Sequence, residues 1–415
     1  MNLLSRRPYL TLLLAGALSA TGFAPLQLFP VTIAALALLM WLVHEAPSLK
    51  AALLRGWTFG VAHFTIGNNW IQHAFDYQDK MPPVLGYLAV VLLALYLAVY
   101  PAMAAGLAWR LASPRSAGDR NTEPGGSYVL VFAAAWIATE WLRATMFTGY
   151  AWNPIAVIWL PLISVARIAA FVGTYSLSGI TVAIAGAAML LVGWRRWRMP
   201  LVAAAGLLLA GLFASAQPIP QRVGPDTPRV RVVQPNVGQE AMQDGNYDLT
   251  MLQAMIDQSG RPQRYPRLIV WPEGAVNYYL EDGYPPDWYY KGTAPVTRGR
   301  IAALLGPRDM ALVGSTAIEL DEAGALKGAG NAIFVVDPAG KLAEQRYDKA
   351  HLVPYGEYLP MRPILSRIGL SRLVAGEIDY LPGPGPRTLP VPGFGSVGMQ
   401  ICYEIIFSGE VVDRA

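Results

Sequence analysis

The stretch GMQICYEII, residues 398–406, holds the only cysteine of the 415-residue chain. An apolar run over 397–401 predicts a buried strand that delivers Cys402 at its end, with Tyr403 and Glu404 immediately after it. That is how a nucleophile is usually presented. A lone cysteine is also commonly a small core hydrophobe, so the choice between the two readings depends on what the rest of the chain places beside it.

The composition bounds the class of protein. The chain is 54% hydrophobic and 14% charged, with mean hydropathy +0.34, against about 25% charged for a globular domain. It reads as an integral membrane protein. One cysteine excludes an internal disulfide and leaves the compartment open. The net charge of +4 does not indicate nucleic acid, because the arginines sit beside apolar segments and form no basic face. Four histidines and one cysteine are scattered without ligand spacing, so neither metal nor cofactor is implied.

Residues 1–217 read as a transmembrane helical domain. Apolar segments fall at 9–23, 31–43, 51–67, 84–109, 128–141, 168–192 and 201–216. The first two are shorter than the roughly 20 residues that a crossing needs. Residues 1–20 also resemble a signal peptide, with Arg6 and Arg7 before an apolar run and small residues at 17–20. With the N-terminus inside, the cytoplasmic connections carry Arg6 and Arg7, Lys50 and Arg55, Arg110, Arg115 and Arg120, then Arg195, Arg196 and Arg198. The opposite loops hold little beyond Lys80, Arg143 and Arg167. By the positive-inside rule the segment ending near residue 216 exits on the outer face.

After Gln217 the pattern changes. PIPQRVGPDTP, residues 218–228, is a Pro-rich linker that neither a helix nor a central strand accommodates. Residues 229–415 then alternate in the manner of an α/β domain, with strands expected at 229–236, 267–273, 311–318 and 331–337 and a helix at 249–258. Short apolar runs bounded by Gly and Pro suggest strands buried on both faces.

Three residue types in this domain suit acyl transfer. Glu273 follows a strand and a Trp-Pro pair, Lys349 lies in YDKAHLVPYGEY, and Cys402 ends its strand. Carried to one sheet edge, a carboxylate can take the thiol proton, and an ammonium can favour the thiolate and the oxyanion formed on attack. Taken singly, Glu273 and Lys349 read equally well as solvated surface charges. His351 offers a rival Cys-His pair, although nothing else in the pattern requires it.

WPEGAV at 271–276, YDKAHLVPYGEYLP at 347–360 and MQICYEI at 399–405 resemble three motifs of the apolipoprotein N-acyltransferases, membrane members of the nitrilase superfamily. TGYAWNP at 148–154 resembles that family's loop between two spans, and QPN at 234–236 the first strand of its soluble domain. The resemblance implies a helical membrane bundle followed by an α/β nitrilase-like αββα sandwich. It assigns Glu273 as general base, Lys349 as electrostatic stabiliser and Cys402 as nucleophile. Glu357, Tyr403 and Glu404 match further residues that matter for activity in the family, and Asn236 and Asn331 read as strand-end residues that shape the site.

The implied reaction moves an acyl chain from a membrane phospholipid, through a cysteine thioester, to the α-amine of the N-terminal diacylglyceryl-cysteine of a lipoprotein. The expected location is the bacterial inner membrane, multi-pass, with the catalytic domain on the periplasmic side. Trp70, Tyr77, Tyr150, Trp152 and Trp159 in the outer loops read as an aromatic belt or as a lining for the lipid path. Two other functions fit the pattern: a membrane-anchored amidase with the same triad, and a non-catalytic transporter or scaffold. The transporter reading expects ionisable residues at mid-bilayer, and the segments hold few. The sequence stops thirteen residues after Cys402, whereas the family's chains continue with more of the sandwich and a final span. The domain therefore reads as truncated at its C-terminal end, with few residues left to give strand 397–401 a neighbour.

Overall fold

The structure is a computed structural model that describes residues 6–77, 81–112, 124–193, 224, 226–238, 245–289, 291–368, 379–410 and 413. It divides into two compact units, one of Met1–Asp76 and Pro82–Ile219, the other of Tyr77–Met81 and Pro220–Ala415. The expected span at 201–216 and most of the 218–228 linker lie outside the described residues.

The first unit is helical: α1 Pro8–Ser19, α2 Phe29–His44, α3 Leu49–Gly67, α4 Leu85–Leu97, α5 Val99–Ala112 and α6 Gly126–Thr145. Two short helices follow, α7 Ile163–Ala166 and α8 Ala169–Val172, and then α9 Thr174–Gly193. The starts follow local chemistry. Proline opens α1 and α2, where a missing N–H costs nothing, and the Ser48 side chain accepts from Ala51 N at 3.2 Å to cap α3.

The apolar segment expected at 84–109 is two helices joined at Ala98, because Pro101 has no N–H to offer the carbonyl four residues back. The segment expected at 168–192 is likewise broken, at Gly173, whose φ is 84°. Leu85–Ala112, with 28 residues, and Thr174–Leu191, with 18, are long and apolar enough to cross a membrane. Apolar helices at Pro8–Gly22, Phe29–His44 and Ile163–Val172 are shorter.

Leu36, Leu39, Met40, Phe59, Phe132 and Val182 form the centre of the bundle. Helices approach closely where side chains vanish: a Cβ on Gly56 would lie 2.6 Å from the Pro101 carbonyl oxygen, so only glycine lets α3 and α5 cross there. Leu10, Leu14, Leu18, Leu88 and Leu92 point outward and are exposed. Such a surface is expected of a bundle solvated by hydrocarbon.

Arg143, expected in an outer loop, instead lies in the last turn of α6 and is buried, three residues after buried Glu140. Arg55 and His63 are buried in α3 as well. The helical unit thus holds more interior charge than the apolar segments suggested. These groups bond to neighbouring chain: Arg55 donates to the Leu42 carbonyl, Arg143 Nη1 to the Trp152 carbonyl at 2.9 Å, and Ser19 pairs with His63 Nδ1 at 2.6 Å.

The second unit is built on a five-stranded sheet in the order β1-β2-β3-β4-β5. Its strands are β1 Arg229–Val232, β2 Arg267–Val270, β3 Met310–Leu320, β4 Leu326–Val336 and β5 Tyr347–Asp348, with α10 Tyr247–Ser259 and α11 Ala294–Ala302 between them. β1, β2 and β3 run parallel, and β3–β4 and β4–β5 antiparallel. β6 Arg387–Val391 and β7 Gly395–Met399 form a separate antiparallel pair.

Alternate residues of the strands serve two cores. Ile269, Ala311, Val313 and Phe334 face a cluster with Met251, Met255 and Ile301 of α10 and α11. Leu268, Met310, Leu312 and Val335 face Leu389, Val391, Met399 and Ile401 of the β6–β7 region. The layers are therefore helix, sheet and sheet, as in a nitrilase-like sandwich.

Three expectations need correction. β1 ends at Val232 rather than at 236 and is an exposed edge strand, because Pro235 cannot donate to a ladder and Asn236 has a left-handed φ of 52°. β3 and β4 are longer than their apolar runs and form an antiparallel hairpin, its turn closed by Asp321 Oδ1 accepting from Ala323 N and Ala325 N. The strand before Cys402 is β7, which ends at Met399 and pairs with β6, so its neighbour precedes it in the chain.

Candidate active site

Glu273 stands in the turn that follows β2, carried over the face of β3 at Gly314. A Cβ at position 314 would lie 2.3 Å from the Pro272 carbonyl oxygen and 2.9 Å from Glu273 Cα, so glycine is required there for the turn to settle. An isolated glycine inside the strand run ALVGSTAI was the available signal for this close approach, and the sequence reading passed over it.

Lys349 follows β5. Its N–H donates to the Asn331 carbonyl of β4 at 2.8 Å, and its own carbonyl accepts from Gly383 N at 2.8 Å. The side chain is 1% exposed, which removes the solvated-charge reading. Nζ lies 3.0 Å from Glu357 Oε1 and 3.4 Å from Glu273 Oε1.

Asn331 joins the two carboxylates: Nδ2 donates to Glu273 Oε1 and, at 3.1 Å, to Glu357 Oε1. Glu357 Oε2 accepts from Val353 N at 2.8 Å, so Glu357 is a buried anchor rather than a free acid. Burial alone would lower the Lys349 ammonium; Glu273 and Glu357 outweigh it and hold the group above the ordinary lysine range.

Cys402 opens a short 3-10 turn, Cys402–Ile406, with φ of 51°. A left-handed conformation at a non-glycine residue costs about 1–3 kcal/mol and persists only where its surroundings impose it. The restraint here is Glu404. Its Oε2 accepts from Ile401 N at 2.8 Å, and its Oε1 accepts from Tyr347 Oη at 2.8 Å, Ala350 N at 2.8 Å and His351 N at 3.1 Å. One buried carboxylate thereby ties the chain on both sides of Lys349 to the turn that presents Cys402. Tyr347 was not foreseen as a participant.

Cys402 presents surface to solvent, yet desolvation remains the largest influence on its thiol. Burial pushes the thiol up to about 11, the charge of Glu273 and a hydrogen bond with it push the same way, and Lys349 pulls against them. Two carboxylates share one ammonium at this centre, so Cys402 rests as a protonated thiol beside a carboxylate.

Tyr403 packs edge-on against Phe407 at 4.9 Å, and burial, then the Tyr358 hydroxyl, push its phenol up to about 12. The His351 ring stacks on Phe407 with centroids 3.7 Å apart, while the groups that shift the Cys402 thiol are Glu273 and Lys349. The rival Cys-His pair has no support in this arrangement. A cleft of 510 Å³ lies beside Glu404, His351, Phe407 and Met399; Glu273, Lys349 and Cys402 do not line it. Asn236 is exposed, and none of the hydrogen bonds among the described residues ties it to the triad.

The structure thus brings together Glu273, Lys349, Cys402, Glu357, Asn331 and Glu404. Comparison with known proteins agrees with both halves of the chain. The family model for the apolipoprotein N-acyltransferase N-terminal domain matches residues 15–187, and that for carbon-nitrogen hydrolase matches residues 229–414.

Among similar proteins, the apolipoprotein N-acyltransferase of Bradyrhizobium diazoefficiens is 31% identical, over 96% of this chain and 74% of its own length. That of Rhodopseudomonas palustris is 30% identical over the same shares. The Caulobacter vibrioides protein is 30% identical over 96% of this chain and 73% of its own. With both domain types in this order and similarity along nearly the whole sequence, the chain belongs to the apolipoprotein N-acyltransferase family.

Proposed function

We propose that the protein transfers an acyl chain from a membrane phospholipid, through a thioester on Cys402, to the α-amine of the N-terminal diacylglyceryl-cysteine of lipoproteins. The observation that carries this reading is the meeting of a buried ammonium, a carboxylate and a protonated thiol at one centre.

Glu273 takes the proton from Cys402 as sulfur attacks the ester carbonyl carbon, and the oxygen that gains charge is stabilised by Lys349. The C–O bond then breaks, and the lysophospholipid leaves as an alcohol with the proton that Glu273 holds. In the second half the lipoprotein amine attacks the thioester carbon and gives its proton to Glu273. The C–S bond breaks, the amide is released, and the proton returns to sulfur. Glu357 and Asn331 position Lys349 and Glu273, Glu404 positions Cys402, and Tyr403 packs the turn.

Residues 1–217 serve in this reading as a multi-pass domain of the inner membrane, 218–228 as a linker, and 229–415 as a catalytic domain on the periplasmic side. The outward leucines of the helical unit and the Lys/Arg bias of its connections support that placement. Both substrates are lipids, so anchoring in the bilayer confines the search to the plane where they lie.

The test begins with the purified full chain and a labelled phospholipid without acceptor. Cys402 should gain one acyl group by mass, released by hydroxylamine, and a diacylglyceryl peptide added afterwards should receive it. An acyl group on Lys349, or turnover that survives in Cys402→Ala, overturns the mechanism. Release of fatty acid with no acylated peptide would favour a hydrolase with the same triad.

A further inference from the structure

The excursion between α6 and α9 has two parts of different character. Its first part is fastened to the bundle: Glu140 Oε1 accepts from Ile155 N at 2.9 Å, Ala156 N donates to Ser178 Oγ at 3.0 Å, and Trp159 Nε1 donates to Thr181 Oγ1 at 2.7 Å. After Trp159 the chain runs through α7 and α8, four residues each, and reaches α9 across Gly173.

The inward side of this stretch is packed. Val165 is buried, and Ala166, Ile168 and Ala169 lie against the bundle core. The outward side is also apolar: Leu160, Leu162, Ile163 and Val172 are exposed, and Phe171 is 88% exposed. Arg167 is exposed among them.

Neither water nor hydrocarbon suits such a segment. In water, each large apolar side chain left exposed forgoes the free energy of its burial. In the hydrocarbon core the backbone would be largely satisfied, since Val165, Ala166, Arg167, Phe171 and Val172 N–H donate to carbonyls within the stretch, but the exposed Arg167 guanidinium would be costly. The boundary between the two media meets both demands, since the apolar side chains can enter the acyl region while Arg167 stays hydrated. The chain's continuity agrees: Thr174–Leu191 is long and apolar enough to cross a membrane, and it begins directly after Gly173.

We infer that residues 160–172 lie in the plane of the membrane–water interface, with Leu160, Leu162, Ile163, Phe171 and Val172 inserted among the lipids and Arg167 at the level of the headgroup phosphates. The partner is a lipid surface. The inference rests on the membrane placement of the helical unit and is independent of the chemistry at Cys402.

The test uses the full chain carrying Cys402→Ala with a single new cysteine at Ile163, Arg167, Phe171 or Val91, labelled with a small fluorophore. The proteins are reconstituted into vesicles of phosphatidylethanolamine and phosphatidylglycerol that hold a spin-labelled lipid, its quencher either near the headgroup or near the methyl end. Val91, exposed on α4 within Leu85–Ala112, serves as the reference for a spanning helix.

Ile163→Cys and Phe171→Cys should be quenched roughly two-fold more by the shallow lipid than by the deep one, as for a face about 5–10 Å into the headgroup boundary. Arg167→Cys should respond to an aqueous quencher. Deep quenching at Phe171 matching that at Val91, or no lipid quenching at Phe171 while Val91 is quenched, overturns the in-plane placement. No lipid quenching at Val91 overturns the membrane placement and the inference with it.

Discussion

The helical unit and the sheet unit each bury a glutamate near a cation, and the two pairs are surrounded differently. Glu140 and Arg143 stand 4.0 Å apart, and their good hydrogen bonds go to the backbone of the following loop, Ile155 N and the Trp152 carbonyl. Glu357 and Lys349 stand 3.0 Å apart, and the remaining reach of the ammonium goes to Glu273, a side chain 34% exposed whose charge acts on the Cys402 thiol. A buried charge that meets backbone fixes the path of the chain. One that meets a side chain at the edge of solvent can change its interaction as a reaction proceeds. Burial of an ion pair is thus common to both units, and only its third partner separates scaffold from chemistry.

The largest contrast should come from removing each cation. Lys349→Met leaves two carboxylates facing each other and should cost about 3–5 kcal/mol of stability together with thioester formation. Arg143→Met should cost a similar amount of stability while leaving the pH profile of Cys402 alkylation unchanged, measured on whatever fraction stays folded. A shifted thiol profile in Arg143→Met would break the distinction between the two pairs.

Replacing Glu273 gives a smaller and more specific effect. Glu273→Gln should lower acylation of Cys402 by roughly 10²–10⁴-fold. In the unaltered protein, alkylation of the thiol should climb about tenfold per pH unit and level off only near the thiol's value of about 11. The charge of Glu273 raises that value, so Glu273→Gln should move the midpoint to lower pH and make the thiol more reactive towards a simple alkylating agent at neutral pH. Slower alkylation in this variant would show that Glu273 does not govern the thiol.

The smallest effect concerns the clamp. Tyr347→Phe deletes one of the hydrogen bonds to Glu404 and should cost about 1.5–3 kcal/mol of stability, with transfer by the folded protein nearly unchanged. Glu404→Gln, which places an amide donor where N–H groups converge, should instead lower kcat with little change in KM. Equal kinetics in the two variants would count against Glu404 as a positioning residue.

Much of this was legible in the residues because chemistry of this kind is short-range in sequence. The motif around Lys349 carries Glu357 eight residues on, and MQICYEI carries Cys402 and Glu404 together. What the sequence hid depends on neighbours far along the chain. Gly314 matters because Pro272 and Glu273 rest on it, and no local periodicity states that. The β3–β4 hairpin was obscured by LKGAGN, whose small residues weaken the apolar run although the ladder passes through them.

Arg143 was assigned to a loop because a charge interrupts an apolar pattern. Its spacing of three from Glu140, which puts both on one helix face, was the overlooked sign of an interior pair. Asn236 was read from a motif match, and its left-handed backbone past the end of β1 is what the apolar pattern did not state.

The four bonds to Glu404 have a consequence for the order of events during synthesis. Tyr347, Ala350 and His351 are 53 to 57 residues from the carboxylate that binds them. Cys402 therefore leaves the ribosome after Glu273 and Lys349, and meets them only when the β6–β7 region docks on the sheet. Before that docking, Cys402 has neither of those neighbours and lacks the bonds to Glu404 that hold its turn. The reactivity of this thiol thus reports whether contacts between segments far apart in the chain have formed.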